Sequence, residues 1–294
     1  MGKNLIFTTY SLLILILSSF DAPAQSTDVI RLEYLNIPEN DSGISTERYK
    51  FLVNVPIKLN EDDYVVLGSE YNSFKIGFPK EFAIENEALR SLHIIDLNLG
   101  YITRWNEDWR LVTILTPRLA SNFTESVLKD DFFFNATVTL WKQGKKNDRP
   151  FRLVLGLTFN STTGLPFPLP LVSYYNQFHP KWSYTLGIPR MNFKYHPFEK
   201  HTLQVALLFD GYFVNIQDDI LLPDDSFGTR ISLSAMVGAL GYQYNVTQRT
   251  SFFVLAGRSI IQEGILRNDK RENVFLLNDK TNFYLRGGFK ISIF

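Results

Sequence analysis

Apolar and polar residues alternate with a period of two along most of the chain, in segments of about the ten residues that a tilted strand needs to cross a bilayer. In segment 151–160, Phe151, Leu153, Leu155, Leu157 and Phe159 share one face, opposite Arg152, Gly156, Thr158 and Asn160. Phe132, Phe134, Ala136, Val138 and Leu140 likewise oppose Asn135, Thr137 and Thr139. Ile231, Leu233, Ala235, Val237 and Ala239 oppose Arg230, Ser232, Ser234 and Gly238. The same arithmetic holds for 49–57 and 203–209. At the C-terminus Phe283, Leu285, Gly287, Phe289, Ile291 and Ile293 face away from Tyr284, Arg286, Gly288, Lys290 and Ser292. The pattern predicts fourteen strands: 28–36, 45–58, 63–77, 90–105, 109–121, 131–143, 149–160, 170–178, 182–188, 191–196, 201–216, 229–245, 250–264 and 282–294. The count falls to twelve if the pair 182–196 does not span, because Pro189 interrupts it and cannot donate to a sheet ladder.

Dyad alternation alone fits a water-soluble sandwich as well as a membrane barrel. Loop lengths separate the two. Short connections at 60–62, 106–108, 179–181, 197–200 and 246–249 alternate with longer polar ones at 38–44, 79–88, 122–130, 161–169, 218–228 and 267–281, and 142–148 is intermediate. Up-and-down membrane barrels keep this rhythm, with short periplasmic turns and longer external loops. Trp105, Trp109, Trp141 and Trp182 all fall beside short turns, as an aromatic girdle at one membrane interface requires. The expected fold is therefore an all-β, closed, antiparallel, up-and-down transmembrane β-barrel of about fourteen strands.

The first residues read as an export signal. Lys3 supplies a positive start, 5–20 an apolar stretch, and Ala22-Pro23-Ala24 before Gln25 a small-x-small cleavage pattern. This divides the chain into a signal peptide, 1–24, and a barrel domain, 25–294. No later stretch offers the run of about 20 apolar residues that a spanning helix needs. The 30 basic and 30 acidic residues cancel, so no overall field favours nucleic acid as a partner. Absence of cysteine rules out a disulfide framework, thiolate metal sites, a cysteine nucleophile and a lipoprotein anchor.

The Ala24-Gln25 junction, the stretch "WSYTLGIP" at 182–189 and the closing "YLRGGFKISIF" resemble an uncharacterised outer-membrane β-barrel family of Bacteroidetes type, a domain of unknown function. Terminal Phe294 resembles the recognition signal of bacterial outer-membrane barrels, although Ser292, Lys290 and Gly288 stand where that pattern carries apolar residues. The resemblance implies the outer membrane of a Gram-negative bacterium as the location and the barrel-assembly machinery as a partner during biogenesis. It implies no substrate.

Chemistry is sparse. His93, His179, His196 and His201 are the only histidines, which limits both metal binding and general-base catalysis. Asp218, Asp219, Asp224 and Asp225 lack the regular oxygen spacing of an EF-hand. No Gly-x-Ser-x-Gly elbow, P-loop or dinucleotide fingerprint occurs. Arg152, Arg230, Arg286 and Lys290 lie on predicted inward faces with Asp96 and Asp210, which makes a charged lumen. The sequence thus predicts a monomeric barrel embedded in outer-membrane lipid, a pore or small-solute binder with no catalysis, cofactor or metal. Its alternatives are a wall-mounted lipid-modifying enzyme, with His93 as the one histidine inside a firm strand, and a soluble secreted β-sandwich.

Overall fold

The computed structural model describes residues 28–39, 41–85, 87–163 and 167–292. The export signal, its Ala24-Gln25 junction and Phe294 lie outside these residues. Fifteen strands follow one another: β1 (Asp28–Ile37), β2 (Ser45–Lys58), β3 (Tyr64–Gly77), β4 (Ser91–Arg104), β5 (Trp109–Ser121), β6 (Phe132–Lys146), β7 (Arg149–Phe159), β8 (Leu169–His179), β9 (Trp182–Ile188), β10 (Arg190–Phe198), β11 (His201–Leu221), β12 (Phe227–Asn245), β13 (Thr250–Arg267), β14 (Asn273–Asn278) and β15 (Phe283–Ser292). Sequential neighbours pair antiparallel from β1 to β13, and β15 joins β13 to β1. Fourteen strands thus close a ring with no free edge, the one sheet form that satisfies all its backbone groups inside lipid. β14 is an extra short strand that extends the ladder on β13 within the loop before β15.

The doubtful pair 182–196 belongs to the wall as β9 and β10. Gly187 makes the top of this hairpin possible: its φ is 146°, and a side chain there would collide with the Val172 carbonyl oxygen of β8. Two connections are shorter than the sequence pattern suggests. β6 runs on to Lys146 and meets β7 through Asn147-Asp148, both at positive φ (53° and 60°), as a type I′ hairpin requires. β11 extends to Leu221 and β12 starts at Phe227, so Asp218 and Asp219 belong to strand and only Asp224 and Asp225 to the loop.

The sheet is inside out relative to a soluble protein. Leu32, Phe51, Leu67, Leu97, Leu99, Phe134, Leu157, Leu186, Val205, Leu240, Phe252 and Leu285 are 43–67% exposed on the outer face. Buried positions include Glu33, Arg48, Asn72, Asp96, Arg118, Asn135, Arg152 and Gln204. An apolar band of this extent would be an aggregation surface in water and is the expected lipid face of a membrane barrel.

β12 inverts the predicted sidedness. Its face of small apolar residues, Ala235, Val237 and Ala239, is buried, packed with Leu35, Ile37, Leu208, Leu255 and Tyr284, while Leu240 and Tyr242 face out. The reason is that opposite walls meet here, so this interior face must be apolar and small. Towards the long-loop end a second buried cluster contains Phe74, Ile76, Leu92, Ile94, Phe133, Tyr212, Phe213, Val214 and Ile231, capped by Ile84 and Leu89.

At the top of this cluster β11 pairs in parallel with β5, Asn215 to Ser121, across five intervening strands. Asp131 ties the junction: it accepts hydrogen bonds from the Leu128 N–H (2.7 Å), Asn215 Nδ2 (2.9 Å) and Gln217 Nε2 (2.7 Å). Burial alone would push its carboxyl up, but hydrogen bonding by Ser121 together with these three bonds outweighs burial and lowers it from the ordinary carboxylate value. A lowered folded-state value means that the carboxylate stabilises the fold at neutral pH, and that this contribution is lost as pH falls through the folded-state value. Asp131→Asn is expected to lower the denaturant midpoint at pH 7. Its gap from the parent protein should close as pH drops below the unfolded carboxyl value of about 3.9.

Candidate functional site

Alternation along β1, β2, β11 and β15 sends Glu33, Arg48, Asp210, Tyr284 and Arg286 into one point of the interior. Arg48 reaches across to Asp210 (Nη1 to Oδ1, 2.9 Å) and also contacts Glu33 (3.0 Å). Arg286 lies 3.1 Å from Glu33 and 3.4 Å from Asp210. The Tyr284 hydroxyl donates to Asp210 Oδ2 at 2.6 Å. Two carboxylates thus hold two guanidinium groups in a latch that joins facing walls. Directly on its long-loop side the Phe74 and Tyr212 rings pack with centroids 4.7 Å apart, and Phe133 meets Phe213 edge-on at 5.8 Å. Above the latch the lumen is filled by side chains.

Below it, towards the short turns, the lining is polar and its charges are unevenly matched. Arg31 bridges Asp28 (2.8 Å) and Glu33 (2.8 Å), and Lys50 pairs with Glu70 (2.6 Å). Arg190, Lys194 and Lys290, by contrast, form no ion pair among the described residues; Arg190 bonds the neutral Gln204 (3.2 Å). These three cations lie within electrostatic reach of one another. Two charged sites stand apart: Arg118 clamps Asp96 with two bonds, 2.6 and 2.8 Å, and Arg152 stacks over the Trp141 ring at 5.0 Å.

Of the six charges expected in the lumen, Asp96, Arg152, Asp210, Arg286 and Lys290 are there. Arg230 is not: it bonds the carbonyls of Asn268 (3.2 Å) and Asp269 (2.8 Å), because β12 has the inverted sidedness described above, and it fastens the loop after β13. Residues missed were Glu33, Arg48, Lys194 and Arg190; parity along 28–36 and 45–58 could have found the first two, since they alternate with Leu32, Tyr34, Tyr49 and Phe51.

The girdle is also revised. Trp109 stands outside with the Lys142 ammonium over its ring (5.9 Å), and Trp105 is 64% exposed. Trp182 packs outside against Tyr195 (4.3 Å) and Phe193 (5.1 Å). Trp141 points inward, its Nε1 donating to Thr139 (2.8 Å), because it shares the odd-numbered face with Asn135 and Thr139. His196 bonds Ser183 and Thr202 inside the wall, whereas His201 bonds Tyr242 outside it, so these histidines do not converge.

Several solved outer-membrane barrels are similar to this chain. The COG4313 outer membrane channel from Pseudomonas putida F1 is 11% identical, with 93% of this chain and 98% of that one covered and a TM-score of 0.42. The KdgM porin, solved in complex with disordered oligogalacturonate, is 8% identical (89% and 98% covered, TM-score 0.36). Outer membrane phospholipase A from Escherichia coli is 9% identical (97% and 98% covered, TM-score 0.37). Likeness at this level says nothing of activity. No curated protein matches the chain. The family described as a domain of unknown function, DUF6268, matches residues 38–292, nearly the whole of the barrel, and this chain belongs to that family.

Proposed function

We propose that the barrel resides in the outer membrane as a monomer and binds and passes small anionic solutes, with the Arg48–Asp210–Arg286 latch as its closed gate. The observation that carries this reading is the cluster of three lumenal cations, Arg190, Lys194 and Lys290, that form no ion pair among the described residues, on the side of the short turns. Clustered lumenal cations in excess over the acids near them attract anions, which is how charged side chains set the selectivity of a pore. Passage of this kind requires no cofactor and no catalytic group in the lumen. Lipid contacts the apolar exterior, and the barrel-assembly machinery inserts the chain during biogenesis.

The test is ion selectivity in planar bilayers under a KCl gradient, measured on the purified full chain with the gate weakened by Asp210→Ala. Chloride is expected to be the preferred ion. Adding Lys194→Glu with Lys290→Glu should move the reversal potential towards cation preference. Absence of any conductance, or a reversal potential indifferent to the two lysines, would refute the anion pore.

A further inference from the structure

On the outer face of the wall, the strand-pair β3/β4 carries a polar constellation just above the apolar band. Ser91 and His93 share the outward face of β4 at its long-loop end, two residues apart, and Ile95, Leu97 and Leu99 continue that face downward into the apolar band. His93 Nε2 lies 3.3 Å from Ser91 Oγ, and His93 Nδ1 lies 2.9 Å from the Tyr71 hydroxyl of β3. Two rings neighbour the imidazole: Tyr71, parallel to it within 5° with centroids 6.0 Å apart, and Phe123, with centroids 6.3 Å apart. Phe123 reaches that place with a left-handed backbone, φ 47°, at the end of β5. A non-glycine residue in that conformation costs energy that its surroundings must supply, and such strain collects at functional sites. Lys75 stands directly opposite Ser91 in the β3/β4 register, where outward Cβ atoms are about 5 Å apart. It makes no ion pair among the described residues.

We propose that Ser91, His93 and Tyr71 form an acyl-ester hydrolase site facing the outer leaflet, with membrane glycerolipids as the substrate class. This activity is independent of the lumenal reading above. In the neutral tautomer protonated at Nδ1, which these distances accommodate, His93 donates Nδ1–H to the Tyr71 oxygen and accepts the Ser91 proton on Nε2, the arrangement an activated serine requires. Ser91 Oγ attacks the ester carbonyl carbon as His93 takes its proton. The carbonyl π pair moves to oxygen, beside the Lys75 ammonium, which also suits the phosphate of a headgroup. Collapse of this intermediate breaks the ester C–O bond, and His93 returns the proton to the departing glycerol oxygen. Water then attacks the acyl-serine with His93 as base, releasing a fatty acid and restoring the hydroxyl. Water is the only co-reactant. Position in the fold suits the substrate: these groups sit where strand gives way to loop, next to exposed Ile95, Leu97 and Leu99, along which the chains of a lipid would lie.

The test uses the full folded chain in phosphatidylethanolamine–phosphatidylglycerol vesicles, with fatty-acid release as the readout and fluorophosphonate labelling mapped by mass spectrometry. Labelling at Ser91 and release of fatty acid are expected. Ser91→Ala should abolish both, and His93→Ala should slow release by about a hundredfold or more. Tyr71→Phe, a positioning change, should lower kcat with little change in KM and displace the acid limb of the rate–pH profile. Heat-modifiable gel mobility, which none of these variants should alter, verifies folding, and conductance measured with Asp210→Ala added, equally unaltered by them, keeps this outcome separate from that of the pore. A folded parent protein that neither releases fatty acid nor takes the label would overturn the proposal, as would a Ser91→Ala variant that keeps the activity.

Discussion

Asp210→Ala is expected to destabilise the barrel by about 3–5 kcal/mol, the cost of breaking one side of a buried ion network, and to convert a silent protein into a conducting one. Asp210 accepts from Arg48, Arg286 and Tyr284 together, so its removal leaves two guanidinium groups against Glu33 alone. Arg48 on β2 and Arg286 on β15 flank β1 on one wall, so losing Asp210 of β11 removes the tie between that wall and the facing one and leaves the two cations repelling each other. Unfolding in urea from detergent micelles, followed by tryptophan fluorescence, reads the first effect and planar-bilayer current the second. Asp210→Asn should cost less, because its amide oxygen still accepts from Tyr284 or from an arginine. A midpoint unchanged by the alanine variant would mean that the latch contributes nothing to the closed form.

Leu97→Arg is expected to cost about 2–4 kcal/mol if the outer face meets lipid, since that is the penalty for a guanidinium near the bilayer midplane of a barrel. Leu97 is 54% exposed, lies midway along β4, and is flanked on its face by Ile95 and Leu99. The same substitution on a water-facing strand would change stability by no more than about 0.5 kcal/mol. Unfolding midpoints in lipid vesicles decide between these outcomes, and the smaller value would contradict the membrane assignment of the exterior.

The number of strands and their order around the ring were legible because parity is a local property: each segment declares two faces without reference to its neighbours. Parity also assigned Asp96, Arg152, Asp210, Arg286 and Lys290 to the interior. It misled at β12, where alanine and valine face inward, because a closed interior and a lipid exterior both accept apolar side chains. It was set aside too readily at Trp141, whose odd number already placed it with Asn135 and Thr139. Partnerships were illegible. Arg48 and Asp210 are 162 positions apart and meet only because the walls approach each other. Ser91 and His93 can be read as neighbours on one strand face, but Tyr71 reaches His93 only through the register of β3 on β4, which sets Ser73 opposite His93 and Tyr71 one step diagonal to it. The short strand β14 escaped notice because six residues within a polar loop carry too little periodicity to read.

The β9–β10 hairpin has a consequence for the membrane itself. β10 pairs β11 only up to Leu208, while β11 continues to Leu221, so the rim steps down on this side. Seven residues of β9, rising about 3.3 Å each at a tilt of about 40°, span roughly 18 Å, against an apolar band of about 25 Å in ordinary barrels. Lipids along this sector must shorten to match, since uncovered chains or buried headgroups both cost free energy. The barrel therefore sits in a bilayer of uneven hydrophobic thickness, pinched beside β9 and β10 and fuller beside the long strands β11 to β13.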